Sequence, residues 1–445
     1  MTTAEPGAEA PGGLVGAELL DAWPLLDREE KVVGFRLLAP AEAEDFFLGL
    51  DALAQADLLA GLPPAERQIW MRQLAPDDAA DLLQTLPETL RGGYLALFDE
   101  RSRKEIVALL AYAEDDAGGL MSPRFVRVRP DMSVDEAIAY LRRQARERVE
   151  TIYYVYVLDG AQHLLGVVSF RELFAAQPGQ TVRDVMHAEP VRVRADLDQE
   201  SVSQVIADHD LAAVPVVDAE GRMQGIVTVD DIVDVVREEA TEDIQKIGGT
   251  VALAAPYLHV GLFSMVGKRL PWLTVLFVGQ FLTTAAMSYF EGEMSRALVL
   301  ALFIPLIISS GGNSGAQAST LVIRAMGMGE VRLRDWWRVL RRELGVGAVL
   351  GLVLGGIGLA RVLLMPAASV QTHEHEVLLA VTVATSLVWI VLWGAIVGAM
   401  LPFLLRGLGF DPASASAPFV ATLSDVTGIV IYFSVATVLL TGTLL

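Results

Sequence analysis

Residues 418–432 read PFVATLSDVTGIVIY, an apolar helical stretch with one carboxylate, Asp425, near its centre. The surrounding apolar run, Ala413 to Leu440, exceeds the roughly 20 residues that span a bilayer. At 1.5 Å per residue, Asp425 lies about 18 Å along that run, deep in hydrocarbon. An Asp there costs about 2.5–3.5 kcal/mol on insertion scales, so it should face a water-filled path or a polar partner. Its neighbours at helical spacing are Ala421, Thr422, Gly428, Ile429 and Tyr432. Small residues on that face leave backbone carbonyls approachable, which suits a hydrated cation. The competing reading is a neutral Asp hydrogen-bonded to another helix.

Working outward, the chain of 445 residues is 53% apolar, with a mean hydropathy of +0.44, which combines a membrane part with a water-soluble one. Of its 55 acids, 46 fall before residue 250, with 23 of its 34 bases. The first part is therefore strongly acidic and the second is not. Such a surface argues against nucleic acid and towards multivalent cations. The absence of cysteine excludes disulfides, thiolate metal sites and thiol chemistry. The segment TTAEPGAEAPGG lacks the basic and apolar regions of a signal peptide and reads as a disordered tail.

From Leu20 to Tyr112, LAPAEAEDF, GLPPAERQI, LAPDDAADL and TLPETLRGG each place Pro just before acidic residues, as at a helix start. Helices this short must stack, giving an all-α superhelical domain. Asp77 and Asp81 lie one turn apart there, where helix-start acids are favoured in any case. An internal repeat follows. Residues 126–131 read VRVRPD and residues 191–196 read VRVRAD, and each leads into a helix and two β-rich runs joined by a hairpin turn. These β-α-β-β-α units resemble tandem CBS domains, a resemblance that implies an adenine nucleotide as ligand. Thr228 and Asp231 match the Ser/Thr-x-x-Asp spacing of its site, Ser169 and Glu172 only loosely. Thr228 also suits a plain helix cap.

Beyond the repeat, Asp231, Asp234, Glu238 and Glu242 form a carboxylate stripe at i, i+3, i+7 and i+11, with Glu239 and Asp243 beside it. Like charges so spaced destabilise a helix by roughly 0.2–0.5 kcal/mol per pair. Either water or bound divalent cations must relieve them. Oxygen ligands without His or Cys favour magnesium or calcium over zinc. The segment 256–270, ending in Lys268 and Arg269, reads as a helix on the membrane surface. Five spans are expected: about Leu270–Tyr289, Ala297–Met326, Gly345–Met365, Val377–Leu405 and Ala413–Leu440. The Arg-rich loop 332–342, Lys268–Arg269 and Arg406 share one side. By the positive-inside rule the N-terminal region is then cytoplasmic and the C-terminus outside, in a plasma (inner) membrane protein. The HEHE cluster at 373–376 reads as solvated loop.

In the second span, Gly311, Gly312, Asn313, Ser314, Gly315 and Gln317 interrupt apolar sequence with small and amide residues. Close helix packing accounts for small residues alone; Asn313 and Gln317 at i, i+4 point further, to a polar pore lining with Gly311 and Gly312. This GGN-containing span, the PFVATLSDVTGIVIYF span, the tandem CBS domains and the EEATEDIQKIGG connector occur in one order. Together they resemble the MgtE family of magnesium channels, over essentially the whole chain from about residue 20. The resemblance implies a homodimer with one pore between second and fifth spans. Asp425 would bind magnesium there with the carbonyls of Ala421 and Gly428. It further implies regulatory magnesium at Asp77, Asp81, Asp210, Asp231, Asp234, Glu239, Glu242, Asp243 and Asp411, clamping the connecting helix closed.

The expected fold is multidomain: a disordered tail (1–19), an all-α N-terminal superhelical domain (20–117), α/β CBS domains (118–180 and 181–238), a connecting region with its plug helix (239–268), and an α-helical membrane domain (269–445). The expected function is a magnesium-selective channel closed by intracellular Mg2+, not an enzyme, with Mg2+ and ATP or another adenine nucleotide as ligands and no nucleic-acid partner. No GxxxxGK[ST] motif for ATP hydrolysis is present. Two alternatives compete: an ion-coupled divalent-cation secondary transporter, and a membrane-anchored nucleotide sensor whose spans only dimerise.

Overall fold

The computed structural model describes residues 16–144, 153–177, 179–253, 257, 260–364 and 376–443. Most of the expected tail, residues 1–15, lies outside them, as do residues 373–375 of the HEHE cluster and Pro256, the start of the expected surface helix. The chain divides after Arg237 into two compact units.

The first unit opens with short helices. Pro40, Pro64 and Pro76 each occupy the first helical turn, and Pro87 sits at the N-cap position of the helix Glu88–Leu95. Proline has no N–H to lose there, which is why the proline-marked starts were legible. The helices stack around Phe35, Phe47 and Trp70, whose rings lie 4.9–6.4 Å apart. Stacking begins earlier than expected: Gly16–Ala22 is helical, and Leu19 is buried.

The repeat builds two sheets. In the first, β1 (Arg127–Val128) pairs in parallel with β2 (Tyr154–Leu158), which forms an antiparallel hairpin with β3 (Leu164–Ser169). β4 (His187–Ala188) extends it. In the second, β5 (Val193–Arg194) pairs in parallel with β6 (Ala213–Val217), itself antiparallel to β7 (Met223–Thr228). The sheets cover each other's edges: β4, leading into the second copy, pairs with β3, while Ser122, leading into the first, exchanges both backbone hydrogen bonds with Ile226. The two hairpins carry the same glycine at this contact. A Cβ on Gly166 would meet the His187 carbonyl at 2.7 Å, and one on Gly225 the Ser122 carbonyl at 2.7 Å.

A single helix, Val229–Ile247, leaves β7 as the connector. Among its described residues the second unit contains five helices long and apolar enough to cross a membrane: Leu262–Tyr289, Leu298–Gly327, Leu333–Leu363, Glu376–Gly407 and Ala417–Leu440. The expected surface helix is absent as a separate element from Leu262 onward. Residues 262–270 continue through Pro271 into the first span. The second span bends at Leu302–Phe303 and then runs unbroken from Ile304 to Gly327. Gly311–Gln317 therefore interrupts its chemistry and not its backbone.

A carboxylate in the fifth span and an acidic connector helix

Glycine pairs set how closely the spans approach. A Cβ on Gly394 would overlap the Gly311 carbonyl, and one on Gly398 the Gly315 carbonyl, so second and fourth spans meet backbone to backbone. Ser314 donates to the Val391 carbonyl (3.1 Å) across the same seam. Gly312 faces the fifth span instead, 3.4 Å (from an added Cβ) to the Cβ of Ala421. Gly311 and Gly312 are buried, whereas Asn313 and Gln317 are exposed on the remaining face. Asn313 donates to Ser309 Oγ at 3.3 Å. The four expected lining residues thus divide into two that fix helix spacing and two that present amides.

The fifth span starts at Ala417, after a short 3-10 turn (Pro412–Ser414) capped by Asp411. Asp425 is therefore eight residues into the helix, about 12 Å, and not the 18 Å expected from the apolar run. It is half-buried, and its Oδ2 accepts a hydrogen bond from Gln280 Nε2 of the first span at 3.2 Å. Another helix does partner this carboxylate, and the donor is an amide. The flank expected to be approachable is partly closed: Gly428, Ile429 and Tyr432 are buried, and the Tyr432 hydroxyl donates to the Leu300 carbonyl (3.0 Å). Ala421 and Thr422 are half-buried. Sequence reasoning missed Gln280, although it is the one amide side chain of Leu262–Tyr289.

The connector carries its acids in both units. In the first, Thr228 donates through its backbone N–H (3.1 Å) and its hydroxyl (2.5 Å) to Asp231 Oδ2, which caps the helix start. Ser169 and Glu172 form the same cap in the first copy. Asp78, in the helix Pro76–Thr85, is pushed up to about 6 by the protein crowded around it and then by the charge of Asp231, with smaller contributions from Asp230 and Asp234; a hydrogen bond from the Ala75 backbone opposes the shift. The side chain keeps an open face to solvent. Asp77 beside it is buried and Asp81 half-buried. Asp78 was not singled out from sequence, because helix-start acids are common enough to hide it. Asp234 is exposed, 3.7 Å from Arg237. Asp210 is exposed in a left-handed turn, φ +50°, after the helix Gln199–Asp208.

In the second unit Lys246 bridges Glu242 (2.5 Å) and Asp411 (2.6 Å). Partial burial pulls the Lys246 ammonium down, but hydrogen bonds to Asp411 and Glu242 override it and hold the group up. Asp243 is pushed up to about 6, first by burial and then by Asp411, with Glu239 and Glu242 adding and Lys246 opposing. These donor sets are all oxygen, the chemistry of a hard divalent cation. Among the described residues, however, no three acids or histidines converge closely enough to hold a metal. At Glu242 and Asp411 the protein's own ammonium stands where such a charge is needed.

Three family models match: a divalent cation transporter domain (MgtE) at residues 304–435, the MgtE intracellular N domain at 16–115, and CBS domains at 117–179 and 182–238. The magnesium transporter MgtE of Thermus thermophilus is 43% identical over 95% of this chain and 92% of its own length. That of Enterococcus faecalis is 34% identical over 89% of this chain and 93% of its own. A solved structure of the cytosolic domain of the Mg2+ channel MgtE in complex with ATP covers 50% of this chain and 90% of its own, at 42% identity and a TM-score of 0.47. With the family models and the two relatives spanning its helical, CBS and membrane regions, this chain belongs to the MgtE family.

Proposed function

We propose that this protein is a magnesium channel of the plasma membrane, closed by magnesium on its cytoplasmic side. The observation that carries the reading is Asp425, the only charged residue of the fifth span, half-buried with one oxygen held by Gln280. A charge at such depth is a functional group by default. Magnesium dehydrates reluctantly and keeps several waters. Asp425 therefore reads the ion through its water shell, with the carbonyls of Ala421 and Gly428 and the amides of Asn313 and Gln317 beside it. The inward drive is the membrane potential, about 2.3 kcal/mol per charge per 100 mV and twice that for a divalent ion.

Two copies share the pore, fifth spans facing across a two-fold axis. The N-terminal unit is cytoplasmic and the C-terminus outside. Magnesium on Asp77, Asp81, Asp210, Asp231, Asp234, Glu239, Glu242, Asp243 and Asp411 relieves their repulsion and holds the connector closed. The raised Asp78 and Asp243 support this, since each is pushed up first by burial and then by neighbouring carboxylates, a setting that a bound cation would relieve. Thr228 and Asp231 are engaged with each other as a helix cap, so their pairing lends nucleotide binding no support.

Magnesium flux into liposomes containing only the purified protein tests the reading. Flux without a coupling proton or sodium gradient is expected, and an absolute need for one would favour a coupled carrier. Asp425→Asn should fold and lose flux by at least about a hundredfold, since neutral groups replace a charge contact to a divalent ion. Parent-like flux in that variant would overturn the proposal. A cysteine at Ala421, in this cysteine-free chain, should cross-link two copies; its failure at every magnesium level would remove the shared axis.

A further inference from the structure

The first span has no buried residue, yet it lies along the fifth at three successive points. Trp272 Nε1 donates to Ser416 Oγ at 3.0 Å, with its ring 5.9 Å from that of Phe419. A Cβ on Gly279 would sit 3.0 Å from Thr422 Cγ2. Gln280 then reaches Asp425. The contacts advance together along both helices, so the two run parallel. Thr422 turns its hydroxyl back to the Pro418 carbonyl (2.9 Å), which leaves its methyl facing Gly279. With no side chain at 279, the helices approach closely enough for the next residue's amide to meet the carboxylate.

We propose that Gln280 is a positioning residue that sets ion preference at Asp425. This rests on the reading of Asp425 as the pore carboxylate. Its amide occupies Oδ2, and among the described residues nothing else donates to Asp425. The carboxylate therefore offers a passing ion one oxygen, Oδ1, in a fixed direction. Calcium commonly takes carboxylates through both oxygens, in flexible shells of six to eight ligands. Magnesium holds an octahedral water shell that a single oriented oxygen suits. A neutral donor achieves this orientation without cancelling the charge, as Lys or Arg would.

The test is flux through the full-length protein in liposomes, with Mg2+ and Ca2+ in parallel. Gln280→Leu removes the donor with a residue that the bilayer tolerates. It should raise the half-saturating magnesium concentration and the Ca2+ to Mg2+ flux ratio, each by about tenfold, the worth of a hydrogen bond to a charged group. Gly279→Val keeps the amide but forces the helices apart at Thr422, and should shift both quantities the same way. If Gln280→Leu lowers both fluxes equally, or leaves ratio and half-saturation unchanged, Gln280 has no positioning role. If the parent carries no magnesium at all, the reading of Asp425 fails and this inference falls with it.

Discussion

The fifth span and the connector helix both carry carboxylates, under opposite physical conditions. In the span a single acid stands in hydrocarbon, where leaving it without a polar partner costs several kcal/mol, and it has one amide partner. On the connector many acids stand near water, where each repulsion is worth only tenths of a kcal/mol. On the proposed function, the first arrangement concentrates ion recognition in one atom pair, so it is fragile to a single change. The second distributes it, so single changes should be graded. Moving a gate from mostly open to mostly closed takes about 5.5 kcal/mol of differential binding, more than one exposed site supplies. Several weak sites acting together meet that requirement.

This contrast orders the expected effects. Asp425→Asn should be the largest, a near-total loss of flux. Next come combined neutralisations on the connector. Asp234→Asn with Glu242→Gln and Asp243→Asn should leave the channel open at internal magnesium that shuts the parent. Any one alone should raise the inhibitory concentration by only a few-fold. Equal effects of single and triple variants would show that one site dominates and break the contrast. Lys246→Met should act with the opposite sense to these. Removing the ammonium between Glu242 and Asp411 makes closure depend more heavily on divalent cation, so flux in its absence should rise and the response to magnesium should steepen.

Much of the architecture was legible because it is written in strong local signals. Proline at helix starts, repeated VRVR strands and five apolar runs each have one cheap physical explanation. The exceptions share a cause. Pro271 marked a boundary in sequence, yet the helix continues through it, as membrane helices with neighbours allow. Gly311 read as pore lining, but its face is taken by the backbone of the fourth span. Gln280 went unread because an isolated amide acquires meaning only beside the acid 145 residues away. Asp78 was passed over for Asp77 and Asp81 because the burial that perturbs it, and the connector charge that adds to it, arise only in the folded chain. Periodicity places a residue on a face, and only tertiary packing says what that face meets.

The smallest expected effect separates repulsion from specific metal binding on the connector. Asp78 is held up to about 6, against 3.8 for an ordinary Asp, by its surroundings and by Asp231, Asp230 and Asp234. A carboxyl raised in the folded state binds its proton more readily there than in the unfolded chain. Its stabilising contribution is therefore complete below about pH 3.8 and lost as pH rises through about 6. Acidification from pH 7.5 to 5.5 without divalent cations should then partly imitate magnesium. Hydrogen exchange, corrected for its intrinsic pH dependence, should slow a few-fold in residues 76–85 and at the start of the connector. The Asp78→Asn protein should be protected at both pH values, with little change between them. Asp78 keeps an open face, so water screens part of the effect and a shift of one order of magnitude or less is expected. Exchange that quickens on acidification in the parent, or an unchanged pH response in Asp78→Asn, would mean that repulsion around Asp231 does not set the looseness of this region. Magnesium would then have to act there by bridging particular carboxylates, not by quenching charge.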